Sequence, residues 1–273
     1  MKIGVLKDAP KTAILGLVII LIYAVLGIFA GQIAPHGETE IVGMEFEQWG
    51  GEFLLGTDNL GRDMLSRLIY GARNSVGIAL ATTALAFSIG SVLGLLAATL
   101  GGWVDQFLSR FVDMLIAIPA LLFALLLLTI FGTGIVNMIG VIAVLEMTRV
   151  FRLTRAVAMN VVVMDYVQAA RLRGEGLWWQ IRAEILPNIA APLVAEFGLR
   201  FCFVFLAVSA LSFLGLGIQP PTADWGSMVR ANAALITFGD ITPLLPAAAI
   251  AVLTISINFV VDWVLHCASG LKD

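Results

Sequence analysis

The chain has 273 residues, of which 60% are hydrophobic and 13% charged, with a net charge of −3 and a mean hydropathy of +0.98. This composition excludes a water-soluble globular fold and indicates an integral membrane protein. The small net charge and the lack of basic clusters interleaved with aromatics exclude nucleic acid as a partner, and long, nearly uniform apolar runs exclude the alternating strands of a barrel.

Crossing the hydrocarbon layer takes about 20 apolar residues per helix, and roughly six such segments are present. The first, Ala13 to Ala34, follows Lys2, Lys7 and Lys11. It has the basic start of a secretory signal, but its apolar run is too long and no Ala-x-Ala site follows, so it reads as an uncleaved anchor. The polar segment after it carries Glu38, Glu40, Glu45, Glu47, Glu52, Asp58 and Asp63. By the positive-inside rule the N-terminus is cytoplasmic and this segment lies outside.

At the centre of that segment stands Leu55-Gly56-Thr57-Asp58-Asn59-Leu60-Gly61-Arg62-Asp63. Thr57 and Asp58 can cap a helix and Asn59 and Gly61 allow turns, which favours an ordered entry into Met64 to Arg73 over a solvated loop. Asp58, Arg62 and Asp63 are candidate contacts for an outside partner. Residues 1–74 are thereby set apart from a core transmembrane domain of residues 75–273.

The second span is predicted from Val76 to Leu100 and the third from Phe111 to Phe131, with Pro119 kinking the latter. Phe131-Gly132-Thr133-Gly134 makes a tight outer hairpin into the fourth span, Ile135 to Phe151. Glu146 marks that helix, followed by Arg149, Arg152 and Arg155 along one face near the inner boundary, where lipid phosphates are the expected partners.

Next comes a polar island, Gln168 to Pro187, inside a coupling loop of residues 160–188. A helix-forming stretch, a glycine four residues after Ala170, and a Leu-Pro stop describe a compact helix-turn-helix outside the bilayer, placed to meet another protein. The fifth span, Ile189 to Gly217, contains Glu196 and Arg200 at i, i+4 spacing, so they can pair on one face. Lining a translocation path or gate competes evenly with a structural pair between helices. After Gly215 to Gly226, where Trp225 suits the membrane interface, the sixth span runs from Pro243 to His266. Asn258 and Asp262 repeat the i, i+4 spacing there and read as a structural pair. Lys272 falls in an inner tail. Cys202 and Cys267 are not placed for a disulfide.

Catalytic motifs are missing. No phosphate-binding Gly-x-x-x-x-Gly-Lys loop, His-Glu-x-x-His or Gly-x-Ser-x-Gly occurs, and two histidines, His36 and His266, do not supply a multi-histidine metal site. If ATP drives transport, another chain binds it. The chain reads as an all-α polytopic protein with no catalytic residues and no metal or cofactor of its own.

The island resembles the coupling segment of permeases in bacterial ABC importers: Glu-Ala-Ala, three residues, Gly, nine residues, Ile, one residue, Leu-Pro. Gln168, Ala169, Ala170, Gly174, Leu186 and Pro187 match that spacing, while Gln168 stands for the glutamate and Glu184 for the isoleucine. Leu55 to Asp63, continuing through Ser66 to Arg73, resembles an outer signature of the dipeptide, oligopeptide and nickel permease subfamily. Leu214 to Pro221 with Trp225-Gly226 resembles its second.

The likeness is to the second, shorter permease subunit. It implies the ABC type I importer permease fold, both termini in the cytoplasm of a bacterium, and a partner permease. It also implies two ATPase subunits that bind ATP and Mg, and an extracytoplasmic solute-binding protein. Ala169, Ala170 and Gly174 would dock into the ATPase. Peptides are the expected cargo, with nickel chelates, glutathione or opines as alternatives. The rivals from other classes are an ion-gradient-driven secondary transporter and an intramembrane enzyme.

Overall fold

The computed structural model describes residues 9–269, so Lys2, Lys7 and Lys272 lie outside the described residues. In chain order the helices are α1 (Lys11–Ile28), α2 (Ala30–Ile33), α3 (Met64–Leu100), α4 (Gly102–Ile116), α5 (Ala120–Phe131), α6 (Ile135–Val162), α7 (Asp165–Leu172), α8 (Leu177–Trp179), α9 (Leu186–Phe213), α10 (Trp225–Asn232) and α11 (Leu244–Ser269). A π-helical turn, Gln180–Ile185, joins α8 to α9, and a 3-10 turn, Ala233–Phe238, follows α10. Among the described residues there is no strand, which bears out the all-helical class.

Among the described residues, four helices are long and apolar enough to cross a membrane: Lys11–Ile28, Met64–Leu100, Leu177–Phe213 and Leu244–Cys267. The α4 and α5 pair makes a fifth if it counts as one span, and its two halves are bent by 86°. The expected continuous third helix is therefore corrected. Pro119 removes a backbone donor and sits as the N-cap of α5, so the chain breaks at Ala117 to Pro119 instead of bending gently. Helix α6, expected as the fourth span, is not apolar enough to count as one, since its 28 residues include Glu146, Arg149 and Arg152, so among the described residues four or five spans stand where roughly six were expected.

The bundle centres on α3 and α6, which run parallel. Gly90 and Gly94 of α3 face α6 so closely that an added Cβ would lie 2.6 Å from the Met147 carbonyl oxygen and 2.9 Å from that of Phe151. Small residues one turn apart let two backbones meet, a packing device of helices in lipid, where no hydrophobic force draws apolar surfaces together. The same pairing aligns the two helices in height. Gly90 lies 26 residues below Met64, but Met147 lies only 12 below Ile135, so α3 rises about 20 Å above the start of α6. The helix begins at Met64, capped by Asp63, and not at Val76.

We take this end as the upper one. Residues 34–63 and 214–243 cap it, while α4, α7 and α8 form the lower end. Packing of α1 against α11 and α3, and of α9 against α3, α6 and α11, completes the bundle. The main core joins Met64, Leu128, Met138, Phe205, Leu211, Trp225 and Leu253 across these helices.

Candidate functional site

The lower end presents the polar island. Helix α7 ends in a Schellman motif: Gly174 donates its N–H to the Arg171 carbonyl at 2.9 Å and Glu175 donates to Ala170 at 3.1 Å. Gly174 adopts φ +80°, and an added Cβ would meet nothing within 4 Å, so backbone conformation and not crowding selects glycine here. Ala170 and Val167 are fully buried, whereas Gln168 and Ala169 are exposed. Leu172 is 90% exposed and Trp178 is 71% exposed, so the turn holds two large apolar groups out into solvent.

Three interactions hold the turn. Arg171 donates to the Thr99 carbonyl at 2.8 Å and to the Gln180 side-chain oxygen at 3.1 Å, and the Gln180 amide donates to the Glu175 carbonyl at 2.7 Å. Arg171, Gln180, Thr99, Leu100 and Leu177 line a cleft of about 310 Å³ at the foot of α3. Gln168 donates its amide to the Val162 carbonyl at 2.9 Å, a bond that a glutamate carboxylate cannot make.

Leu186 and Pro187 do not stop a helix. They open α9, and the chain from Leu177 to Phe213 is one helix through the π turn. Proline has no N–H and its ring presses on the carbonyl four residues earlier. The wider π register just before it absorbs both effects.

Halfway up the bundle, Glu196 and Arg200 of α9 pair, with Arg200 Nη2 at 2.8 Å from Glu196 Oε1. Arg200 Nη1 also reaches Glu146 Oε2 of α6 at 2.7 Å, and the three side chains are no more than 12% exposed. Sequence reasoning noted Glu146 without assigning it a partner. Its signal was an ionisable group deep within a span, which must be paired or face a cavity. Arg152 and Arg155 do not reach for lipid: Arg152 pairs with Asp113 at 2.6 Å, and Arg155 makes a two-pronged pair with Asp105, both on α4. Asn258 donates to the Thr254 carbonyl at 2.9 Å and not to Asp262, which is exposed.

At the upper end the two sequence signatures lock together. Asp63, not Thr57 or Asp58, caps α3, accepting the Ser66 N–H at 3.0 Å. Asp58 forms ion pairs with Arg62 at 2.7 Å and Arg67 at 3.1 Å, and both Asp58 and Arg62 are buried, so these residues and Asp63 brace the segment from within. Glu38 bridges the halves, accepting Asn74 at 2.8 Å and the Ala223 N–H at 2.6 Å. Asp224 caps α10 by accepting Ser227 N–H at 2.8 Å, and takes the Ser75 hydroxyl at 2.8 Å. Burial pushes its carboxyl above the usual range, while hydrogen bonds from Ser227, Ser75 and Ser212 pull the other way.

Trp225 is 1% exposed and so faces the interior of the chain instead of lipid. Its ring N–H donates to the Leu68 carbonyl at 2.9 Å, and its ring packs edge-on against Tyr23 and Phe205.

Comparison with known proteins bears on these three sites. A family model described as binding-protein-dependent transport system inner membrane component matches residues 90–267, a stretch that contains the island and the buried charges. The chain is 38% identical over 274 residues to the di/tripeptide transport system permease protein DppC of Pseudomonas aeruginosa (strain UCBPP-PA14), covering 96% of this chain and 87% of that one. It is 34% identical over 270 residues to the dipeptide transport system permease protein DppC of Haemophilus influenzae, covering 96% and 89%. It is also 32% identical over 219 residues to the glutathione transport system permease protein GsiD of Pectobacterium atrosepticum, covering 80% and 70%.

Proposed function

The chain belongs to the family of inner membrane components of binding-protein-dependent transport systems, and from that premise we propose that it is one permease subunit of an ATP-driven importer of peptides. A second permease completes the path, two ATPase subunits bind ATP and Mg, and an extracytoplasmic binding protein delivers the cargo. The lower end faces the cytoplasm, with both termini, and the upper end faces outward. Peptides are preferred over glutathione, nickel chelates or opines because the more similar relatives carry dipeptide and tripeptide names.

One observation carries the proposal: a tightly capped helix-turn-helix exposes Leu172 and Trp178 around a glycine whose side-chain direction is open. Such a knob fits a groove on another protein. Its connection to the transmembrane path is direct, because Trp178 and Arg200 belong to the same helix. ATP-driven closure of the ATPase pair moves the knob, and the spans then exchange inward-facing and outward-facing arrangements. A secondary carrier is expected to place its ion site among repeats and broken helices near the midplane, and the acidic candidate there, Glu196, is held by Arg200.

Gly174→Leu tests this reading. The variant keeps the folded membrane domain but loses the co-purifying ATPase and ATP-dependent uptake of labelled peptide. Unchanged ATPase association and uptake would sink it.

A further inference from the structure

Of the three arginines along one face of α6, two end on aspartates of α4, Asp113 and Asp105. Among the described residues Arg149 reaches no carboxylate. It is exposed, and its guanidinium lies 6.0 Å from the ring centre of Phe203, itself 52% exposed. Behind that ring, 5.2 Å from its centre, sits Arg200, already held by Glu146 and Glu196.

Height decides what Arg149 can meet. It lies 14 residues below Ile135, about 21 Å down α6, and Phe203 lies 17 residues above Leu186, about 25 Å up α9. Helical side chains lean toward the N-terminus, which for α6 is the upper end, so the guanidinium is turned away from the lower headgroups. The contact with Phe203 fixes it in that direction. Near the inner boundary and turned inward, an exposed cation is least costly where it faces a water-filled path.

Its neighbours supply complementary charge. Glu146, Glu196 and Arg200 sum to one negative charge, and Glu146 is on the adjacent turn of α6. A fixed negative triad beside a free guanidinium matches a zwitterion, and every unmodified peptide carries a carboxylate and an ammonium group. We infer that Arg149, backed by Phe203, lines the translocation path and receives the terminal carboxylate of the passing peptide. This assignment rests on the peptide-importer reading above.

The importer, co-purified with its companion subunits and reconstituted in proteoliposomes with loaded binding protein, tests it with labelled trialanine and with the C-terminal amide of trialanine. Arg149→Ala lowers free-acid uptake by about tenfold or more and amide uptake far less, while Arg149→Lys keeps free-acid uptake within about threefold of wild type, as a charge contact demands. ATP hydrolysis stimulated by the binding protein persists in both variants. Three results would overturn the assignment: equal losses for acid and amide, no loss for the acid, or a lysine variant as poor as alanine. Loss of the second permease from the purified Arg149→Ala complex overturns it too, since Arg149 would then be a subunit contact. If the wild type moves neither peptide, the peptide reading falls and this assignment with it, a result separable from the variant arms.

Discussion

Ser75 donates its hydroxyl to the carboxylate of Asp224 at 2.8 Å across 149 positions of sequence, and the same oxygen accepts the N–H of Trp225 at 3.1 Å. One serine thus fixes the start of α10 to the side of α3. Asp224→Ala removes the helix cap and leaves Ser75 buried without its acceptor, for a loss of about 2 kcal/mol, read as a lower unfolding midpoint in detergent.

The pH response of that carboxyl has a defined sign. Burial raises its pKa in the folded protein, so the folded state takes up the proton more readily than the unfolded one. The stability advantage of wild type over Asp224→Asn therefore grows as pH falls through the raised folded value and shrinks as pH rises through it. Measured in parallel across that range, the midpoint of wild type should fall relative to that of Asp224→Asn as pH rises toward neutral. A wild type that gains on the variant toward neutral pH would contradict it.

Arg200 serves two carboxylates, so its removal differs from the removal of either partner. Arg200→Ala leaves Glu146 and Glu196 buried together and costs roughly 3–5 kcal/mol, whereas Glu196→Gln leaves Arg200 its bond to Glu146 and costs distinctly less. Replacing all three by apolar residues of similar volume restores part of the loss. Thermal unfolding of the four proteins checks the order.

The two links between α4 and α6 are unequal. The Arg152 and Asp113 side chains are 56% and 59% exposed, while Arg155 and Asp105 are 30% and 18% exposed. Asp113→Asn should change stability by less than about 1 kcal/mol. Asp105→Asn should free α4, seen as increased mobility of a spin label at Trp103→Cys.

Close approach of α3 and α6 gives the fourth comparison. Gly90→Ala places a methyl group 2.6 Å from the Met147 carbonyl oxygen, whereas Gly140→Ala meets nothing within 4 Å. The first should destabilise by about 1–3 kcal/mol. The second should be neutral or slightly stabilising, because alanine is the better helix former.

Long apolar runs made the helices legible because lipid demands them, and the turn at Gly174 was legible because a left-handed cap selects glycine. What stayed hidden depended on partners far along the chain. Trp225 reads as interfacial until Leu68, Tyr23 and Phe205 surround it, and Glu146 reads as a lone charge until α9 brings Arg200 against it. Asp58 and Arg62 are polar enough to suggest an exposed surface, yet they consume each other's charge inside the segment. Leu186-Pro187 looked like a stop because a π turn has no signature in local composition.

That π turn has a mechanical consequence. With it, the 37 residues from Leu177 to Phe213 form one strut about 55 Å long. No loop interrupts the helix between Trp178 and Arg200. The strut has a weak joint, since Pro192 deprives it of a backbone bond eight residues below Arg200. The lower turn at Trp178 and the buried charge of Arg200 are therefore ends of one unbroken helix, with Pro192 between them.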